Sequence, residues 1–167
     1  MALTKYPVLN SSLSPDGSEI IYHNAHNIGV AMDTPRGLVV PNIKSVQSLS
    51  VLDIARELNR LQADGQGGSG LKEDDLKGTT FTLSNIGAIG GTYMQPVITS
   101  PTVAIGALGK VQTLPRFDDD MNVTAAKIME VSWAGDHRVV DGATMARFSN
   151  EWKAMLENPG WMVAGMR

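Results

Sequence analysis

Apolar and polar positions set a short period at the start of the chain and a longer one further on. Glu19-Ile20-Ile21-Tyr22-His23 alternates and is β-prone, and Ile28-Gly29-Val30-Ala31-Met32-Asp33 reads as a second strand. Thr34-Pro35-Arg36-Gly37 supplies a turn before Leu38-Val39-Val40-Pro41, so residues 19–44 are expected to hold two or three strands. The period then becomes helical: Val51, Ile54, Ala55, Leu58 and Leu61 share one face, Ser50 stands at the N-cap with Asp53 three residues on, and the helix is expected to end near Asp64-Gly65. Residues 65–70, Gly-Gln-Gly-Gly-Ser-Gly, read as a flexible surface loop. Thr79 to Ser84 is a strand followed by the glycine-rich Gly87-Ala88-Ile89-Gly90-Gly91. Thr102 to Ala107 is a continuous apolar run suited to a buried strand, and Ala125 to Trp133 is another strand. Ala143 to Leu156 is a helix with Met145, Phe148, Trp152, Met155 and Leu156 on one face, stopped by Asn158-Pro159-Gly160. The apolar tail Trp161-Met162-Val163-Ala164 folds back on its own core or docks on a neighbour. Strands bracketing two helices imply an α/β protein, a mixed sheet with flanking helices.

Composition narrows the function. The 167 residues suit one domain with a sizeable core, and 43% hydrophobic with 19% charged residues is a globular balance. A formal charge of -3 gives no basic footprint for nucleic acid. No apolar run approaches the ~20 residues of a membrane span, and Met1-Ala2-Leu3-Thr4-Lys5 does not open a secretory signal. Without cysteine there are no disulfides, thiolate nucleophiles or cysteine-held metals, and an intracellular or organellar compartment is expected. The sequons at Asn10 and Asn122 are then chance matches.

Candidate chemistry is sparse. Gly65 to Lys72 lacks the Gly-Lys-Ser/Thr of a phosphate loop and follows a helix rather than a strand, so it reads as a linker. His23 and His26 stand three apart near a turn, at no metal-ligand spacing, and read as surface or packing residues; no metal is expected. His137 is different. In Trp133-Ala134-Gly135-Asp136-His137-Arg138-Val139-Val140-Asp141-Gly142 an imidazole lies among two carboxylates and a guanidinium, at a strand-to-helix junction. The residues alone leave two readings open for it, catalytic base or hydrogen-bonded structural histidine. Asp141 is at least a helix N-cap, and Asp136 with Arg138 reads as an ion-paired scaffold. Imidazole titrates near ~6.5 and a thiol near ~8.5, so a neutral histidine can take a thiol proton at modest cost. Any such thiol must come from a substrate.

His-x-x-x-Asp-Gly at His137, Asp141 and Gly142 resembles the signature of the acyltransferase cores of 2-oxo acid dehydrogenase complexes, shared with chloramphenicol acetyltransferase. VSWAGDHRVVDGATMARFSNEWKAMLENP (131–159), FTLSNIGAIGGTYMQPVITSPTVAIGALG (81–109) and HNIGVAMDTPRGLVVPNIK (26–44) carry the resemblance over essentially the whole chain, and Ser132-Trp133 with the stretch after Gly142 looks most like the branched-chain type.

The resemblance implies a chloramphenicol acetyltransferase-like fold and acyl transfer from dihydrolipoamide to coenzyme A. His137 would be the base, Ser84 the donor to the oxyanion and Asp141 an accessory group. Coenzyme A would meet Asp33, Gln62, Ala63, Ser84, Asn85, Gly109 and Val111, the glycine and the valine through backbone. Ser84 has a plainer reading, a strand-end serine satisfying a turn. In the family the site lies between neighbouring subunits of a trimer, so His137 and Ser84 of one chain would serve different sites. Trimers join into cubic or icosahedral shells through a tail matching Trp161 to Arg167. The lipoyl group rides on a separate domain, which with the subunit-binding domain also recruits the decarboxylase and dihydrolipoyl dehydrogenase. Measured against the family, residues 1–167 are expected to be a partial catalytic domain, in the mitochondrial matrix of a eukaryote or the cytoplasm of a bacterium. Two other readings are a non-catalytic core subunit and a free-standing coenzyme A-dependent acetyltransferase.

Overall fold

The computed structural model describes residues 1–165. In chain order the elements are α1 (Ala2–Lys5), β1 (Ser11–Leu13), β2 (Ile20–Tyr22), β3 (Ile28–Thr34), β4 (Gly37–Val39), β5 (Asn42–Ile43), α2 (Val51–Gly65), α3 (Glu73–Leu76), β6 (Phe81–Asn85), β7 (Ala104–Phe117), β8 (Val123–Gly135), α4 (Gly142–Glu157) and α5 (Pro159–Gly165). β1 and β2 form a small antiparallel pair, and the main sheet runs β4-β3-β6-β7-β8 with β5 also paired to β3. The mixed sheet is as expected: β3, β6 and β7 are parallel at its centre, while β4, β5 and β8 are antiparallel to their neighbours.

Local chemistry explains the two long helices. The Ser50 hydroxyl accepts from the Asp53 amide at 3.1 Å, satisfying one of the donors left free at the start of α2. Asp141 does the same for α4, accepting from the Thr144 amide at 2.7 Å and the Thr144 hydroxyl at 3.0 Å. α2 packs Leu61 against Met32 and Ile43, a small core of its own. α4 packs Phe148 into the larger core, which gathers Leu9, Phe81, Val103, Ala104 and Val140. There Trp133 lies edge-on to Phe148 at 5.2 Å and to Trp152 at 5.6 Å, a geometry favoured by the ring quadrupoles. Its indole N–H donates to Ser149 at 3.0 Å, so β8 and α4 are joined by a polar bond as well as by rings. Gly106 lies opposite Trp133 in the β7–β8 register, and a Cβ there would run into the indole.

Four expectations change. The strand expected at 102–107 is only the inner part of β7, while the one at 125–133 is most of β8, and the two form one long hairpin. Beyond an irregularity between Leu108 and Val111, β7 and β8 pair only with each other out to Phe117 and Val123. Ladder pairing rather than a buried face holds that outer half, and the sequence pattern marked its β8 side but not its β7 side. Secondly, Asn158-Pro159-Gly160 stops α4 as expected, with Asn158 as its C-cap, but a further helix opens at once: Pro159 begins α5, at the first helical position, where no amide partner is needed. The tail expected over 161–167 is helical to Gly165, and its last two residues lie outside the described ones. Thirdly, Leu156 is 44% exposed and not on the buried face of α4. Fourthly, the glycine-rich segment begins as the cap of α2, with the Gln66 amide donating to the Gln62 carbonyl and the Gly68 amide to that of Ala63, both at 3.0 Å. Of the two expected packing histidines, His23 places Nε2 3.1 Å from the Ser12 hydroxyl, and burial pushes the His26 pKa down. Asn10 is buried, its amide bonded to the His23 and Ala25 carbonyls, which leaves no room for a glycan.

Phe148 is 2% exposed and touches rings on three sides. Replacing it by Ala should cost ~3–5 kcal/mol, read as a fall in the denaturant midpoint.

Candidate active site

His137 stands exposed in the turn that joins β8 to α4. The turn is fixed at both ends. On the sheet side the Asp136 amide donates to the Val103 carbonyl at 2.8 Å, and the Asp136 carbonyl accepts from Val139 at 2.9 Å and Val140 at 2.8 Å. On the helix side Val140 is buried and Asp141 caps α4. The Thr144 amide and hydroxyl hold the Asp141 carboxyl below the usual carboxylate range. Asp136 and Arg138 pair through Oδ2 and Nη2 at 2.6 Å, and the guanidinium holds that carboxyl low too, as the expected scaffold. The imidazole therefore projects from a rigid base without being enclosed. A cleft of about 480 Å³ opens beside it, lined by Asp136, Arg138, the Leu13–Gly17 turn and Ser100–Val103. Nothing in the sequence pointed to this cleft, because its walls come from three separate stretches, 13–17, 98–103 and 136–138, that meet through the Ser12–Thr102 bridge and the Asp136–Val103 bond.

Ser84 lies elsewhere. It is half-buried near the end of β6, paired with Ala31 on β3 and Ala107 on β7. Ala107 pairs with Ser132 on β8, three residues before Gly135. Two inter-strand steps and three residues along the strand separate Ser84 from Gly135 by roughly 14 Å, and the chain runs further away to His137. A hydrogen-bonded pair needs about 3 Å. Ser84 and His137 of one chain are thus not brought together, the arrangement expected of two half-sites.

The positions matched to coenzyme A contacts fall along one border of the sheet. Because β3, β6 and β7 are parallel, Asp33 and Ser84 with Asn85 lie at or near the C-terminal ends of β3 and β6, level with Gly109, where β7 passes beyond the end of β6. Gln62 and Ala63 occupy the last turn of α2, tied to the same border where the Gln66 side chain donates to the Asp33 carbonyl at 2.7 Å. C-terminal strand borders are where α/β sheets receive ligands. Asp33, Gln62, Ala63, Asn85 and Val111 are exposed there. His137 leaves the opposite border, next to the start of β7.

Gly109 carries a constraint beyond the expected close approach of a ligand. Its missing side chain is replaced by the chain itself: a Cβ would collide with the Thr92 carbonyl. The glycine-rich loop crosses β7 at this point, with the Ile86 and Gly87 amides on the Leu108 carbonyl at 3.1 Å and Lys110 donating to Gly91 at 2.8 Å. Among the described residues no cluster of His, Asp and Glu is placed to hold a metal, and no helix is long and apolar enough to cross a membrane.

The profile of the 2-oxoacid dehydrogenases acyltransferase (catalytic domain) family matches residues 1–164. The chain belongs to this family. It is 57% identical over its full length to the mouse lipoamide acyltransferase component of the mitochondrial branched-chain alpha-keto acid dehydrogenase complex, and 52% to that of Arabidopsis thaliana. It spans 34% of the length of each, about a third. A Staphylococcus aureus acetyltransferase component of a pyruvate dehydrogenase complex is 41% identical over 95% of the chain and 36% of that protein. Among solved structures, the Azotobacter vinelandii dihydrolipoamide acetyltransferase superposes with a TM-score of 0.91 at 35% identity, covering 96% of this chain and 65% of that one.

Variants at two positions of this acyltransferase-family chain separate structure from chemistry. Gly109→Ala should displace the 86–92 crossing and lower the melting temperature, whatever ligand is added. Asp141→Ala should lower it too by uncapping α4, whereas Asp141→Asn, which keeps an accepting oxygen, should melt near the parent. The carboxylate form of Asp141 is favoured by folding, so its share of stability holds above the unfolded carboxylate pKa and fades as pH falls through its own lowered value. The difference between parent and Asp141→Ala in melting temperature should therefore shrink in acid.

Proposed function

We propose that the protein transfers an acyl group, of the branched-chain type, from dihydrolipoamide to coenzyme A. What supports it most is the placement of His137 on an anchored, solvent-facing turn at the sheet border opposite the one that carries Asp33, Ser84, Asn85 and Gly109. Two copies set side by side, each offering a different border, would make one complete site.

In that site His137 accepts the proton of the coenzyme A thiol. The sulfur attacks the thioester carbonyl, and Ser84 of the adjacent copy donates a hydrogen bond to the oxygen as it gains charge, a contact worth ~2.7–4 kcal/mol when preorganised. Collapse expels the dihydrolipoamide sulfur, which takes the proton back from His137, so acid and base are the same imidazole and no proton is lost. Asp141 keeps the turn in place through its cap. The study of the Azotobacter vinelandii relative concerned a serine, a histidine and an asparagine four positions after the histidine; this chain has Asp141 four positions after His137. Asn and Asp both cap helices well, so a positioning role suits either residue. Asn85, Asp33, Gln62, Ala63 and the backbone of Gly109 and Val111 bind the acceptor.

The wider setting follows the relatives. One solved relative is the cubic core of the pyruvate dehydrogenase multienzyme complex, at a TM-score of 0.91. Self-association into trimers and then a larger core fits the two half-sites, with the acyl donor arriving on a lipoyl group from another domain. The names of the mouse and Arabidopsis relatives place them in mitochondria, and the matrix is the compartment we assign.

His137→Ala and Ser84→Ala should each lower turnover about 10²-fold or more in an assembled protein. Co-assembling the two inactive variants should then restore activity, to about a quarter of the parent for random mixing, because some contacts unite an intact histidine with an intact serine. Mixed assemblies that stay as inactive as their parts would mean that both groups act within one chain and would exclude the shared site.

A further inference from the structure

Residues 66–71 cross from the end of α2 towards α3, and a cavity of about 380 Å³ lies between this segment and the β3–β4 turn. Val39, Leu71 and Leu76 give the cavity an apolar wall, and the rest of its lining includes Arg36 and residues 67–70. Little holds the middle of the segment. Gly67 and Gly70 stand at φ of +111° and +82°, and a Cβ on either would meet nothing within 4 Å. Ser69, the one side chain between them, is exposed. Glycines at positive φ in open space give the backbone the freedom of a hinge.

The two ends are held, and one residue serves both. Arg60, on α2, donates from Nη1 to Asp64 at 3.0 Å just before the segment, and from Nη2 to Asp75 Oδ1 at 2.7 Å beyond it. Its Nε and Nη2 also meet Glu57, at 3.0 Å and 2.6 Å, which fixes the plane of the guanidinium. Asp75 is 7% exposed and turns its other oxygen to the Lys72 amide at 2.9 Å, where the segment ends. The Arg60 guanidinium holds that carboxyl below the usual carboxylate range, and without it a buried charge would be stranded. The backbone of α3 is tied separately to β5, because the Asn42 amide donates to the Asp75 and Lys77 carbonyls at 3.0 Å and 2.9 Å. Arg60 therefore sets not where α3 lies but which way the Asp75 carboxylate points.

We propose that residues 66–71 are a strap over this cavity, hinged at Gly67 and Gly70, with Arg60 as its latch. Through Asp75 the latch holds the Lys72 end down; when it lets go, the strap lifts, takes Leu71 with it and uncovers Val39. The device belongs to the fold and works alike for any occupant of the cavity. A guanidinium shared among three carboxylates suits the task, since its fork can face two helices at once, which a single ammonium cannot.

Hydrogen exchange read by mass spectrometry tests the latch on the parent protein, Arg60→Gln, Asp75→Asn and the double variant. The Gln66, Gly68 and Lys72 amides report on the strap, being bonded to Gln62, Ala63 and Asp75, and the amides of α4 serve as the internal reference. Arg60→Gln should speed exchange over 66–72 about tenfold and leave α4 at the parent rate. Asp75→Asn should act in the same direction, and the double variant should exchange no faster than Arg60→Gln, because two residues working through one contact do not add. The chain has no cysteine, so Val39→Cys supplies a single thiol in the cavity wall. Its maleimide labelling should be about tenfold faster when Arg60→Gln is added. Strap exchange that is unchanged in Arg60→Gln, or that rises equally in α4, overturns the latch. Additive effects in the double variant overturn the route through Asp75, and labelling that stays constant while the strap loosens overturns its place over the cavity.

Discussion

The parallel register of β3, β6 and β7 is the constraint from which the rest follows. Parallel neighbours must end at the same border, so once Ala31, Ser84 and Ala107 are aligned, Asp33, Asn85 and Gly109 have no choice of side. β8 is antiparallel and leaves from the other border, carrying His137 away. In the function proposed here, a chain that folds this way divides its chemistry between two surfaces, and catalysis and self-association become a single requirement, met by hydrogen bonds deep in the sheet.

The energy that holds this register sits far from the chemistry. Trp133 reaches over Gly106 into α4, where Phe148, Trp152 and Ser149 receive it. That packing holds β8 against β7 a few residues before the strand becomes the His137 turn, so the aromatic core is also the foundation of that turn. The glycine-rich crossing acts similarly at the other border: Thr92 lying on Gly109 leaves Asn85 at the mouth of the loop.

Much of this was legible in the amino acids, and for local reasons. α2 and α4 announce themselves by helical spacing and by caps three residues from their partners, Ser50 to Asp53 and Asp141 to Thr144, all within one turn of chain. The His137 neighbourhood stood out by its ionisable residues, but residues alone left it balanced between structure and catalysis, and the family likeness supplied the role. What stayed hidden depends on distant partners. At Gly109 the sequence suggested only the close approach of a ligand, because nothing local says that the Thr92 carbonyl also lies against it. The clefts beside Asp136 and Arg36 have walls that meet only after the sheet and the helix cap form. The outer half of β7 was missed because it buries no apolar face, and burial is what hydrophobic patterning reports.

That hairpin sets a gradient of stability along two strands. Up to Leu108 the ladder has β6 on one side and a packed core beneath, and opening it means opening the sheet. From Val111 outward each rung has one partner and water on its faces, and a lone two-strand ribbon is marginal in water. Its backbone amides can exchange with solvent through fraying that leaves the core intact, whereas those near Trp133 wait for far costlier events. The same strand that seats the His137 turn at one end thus melts by degrees at the other, and damage or modification near the Asp118–Met121 tip would be absorbed before reaching His137.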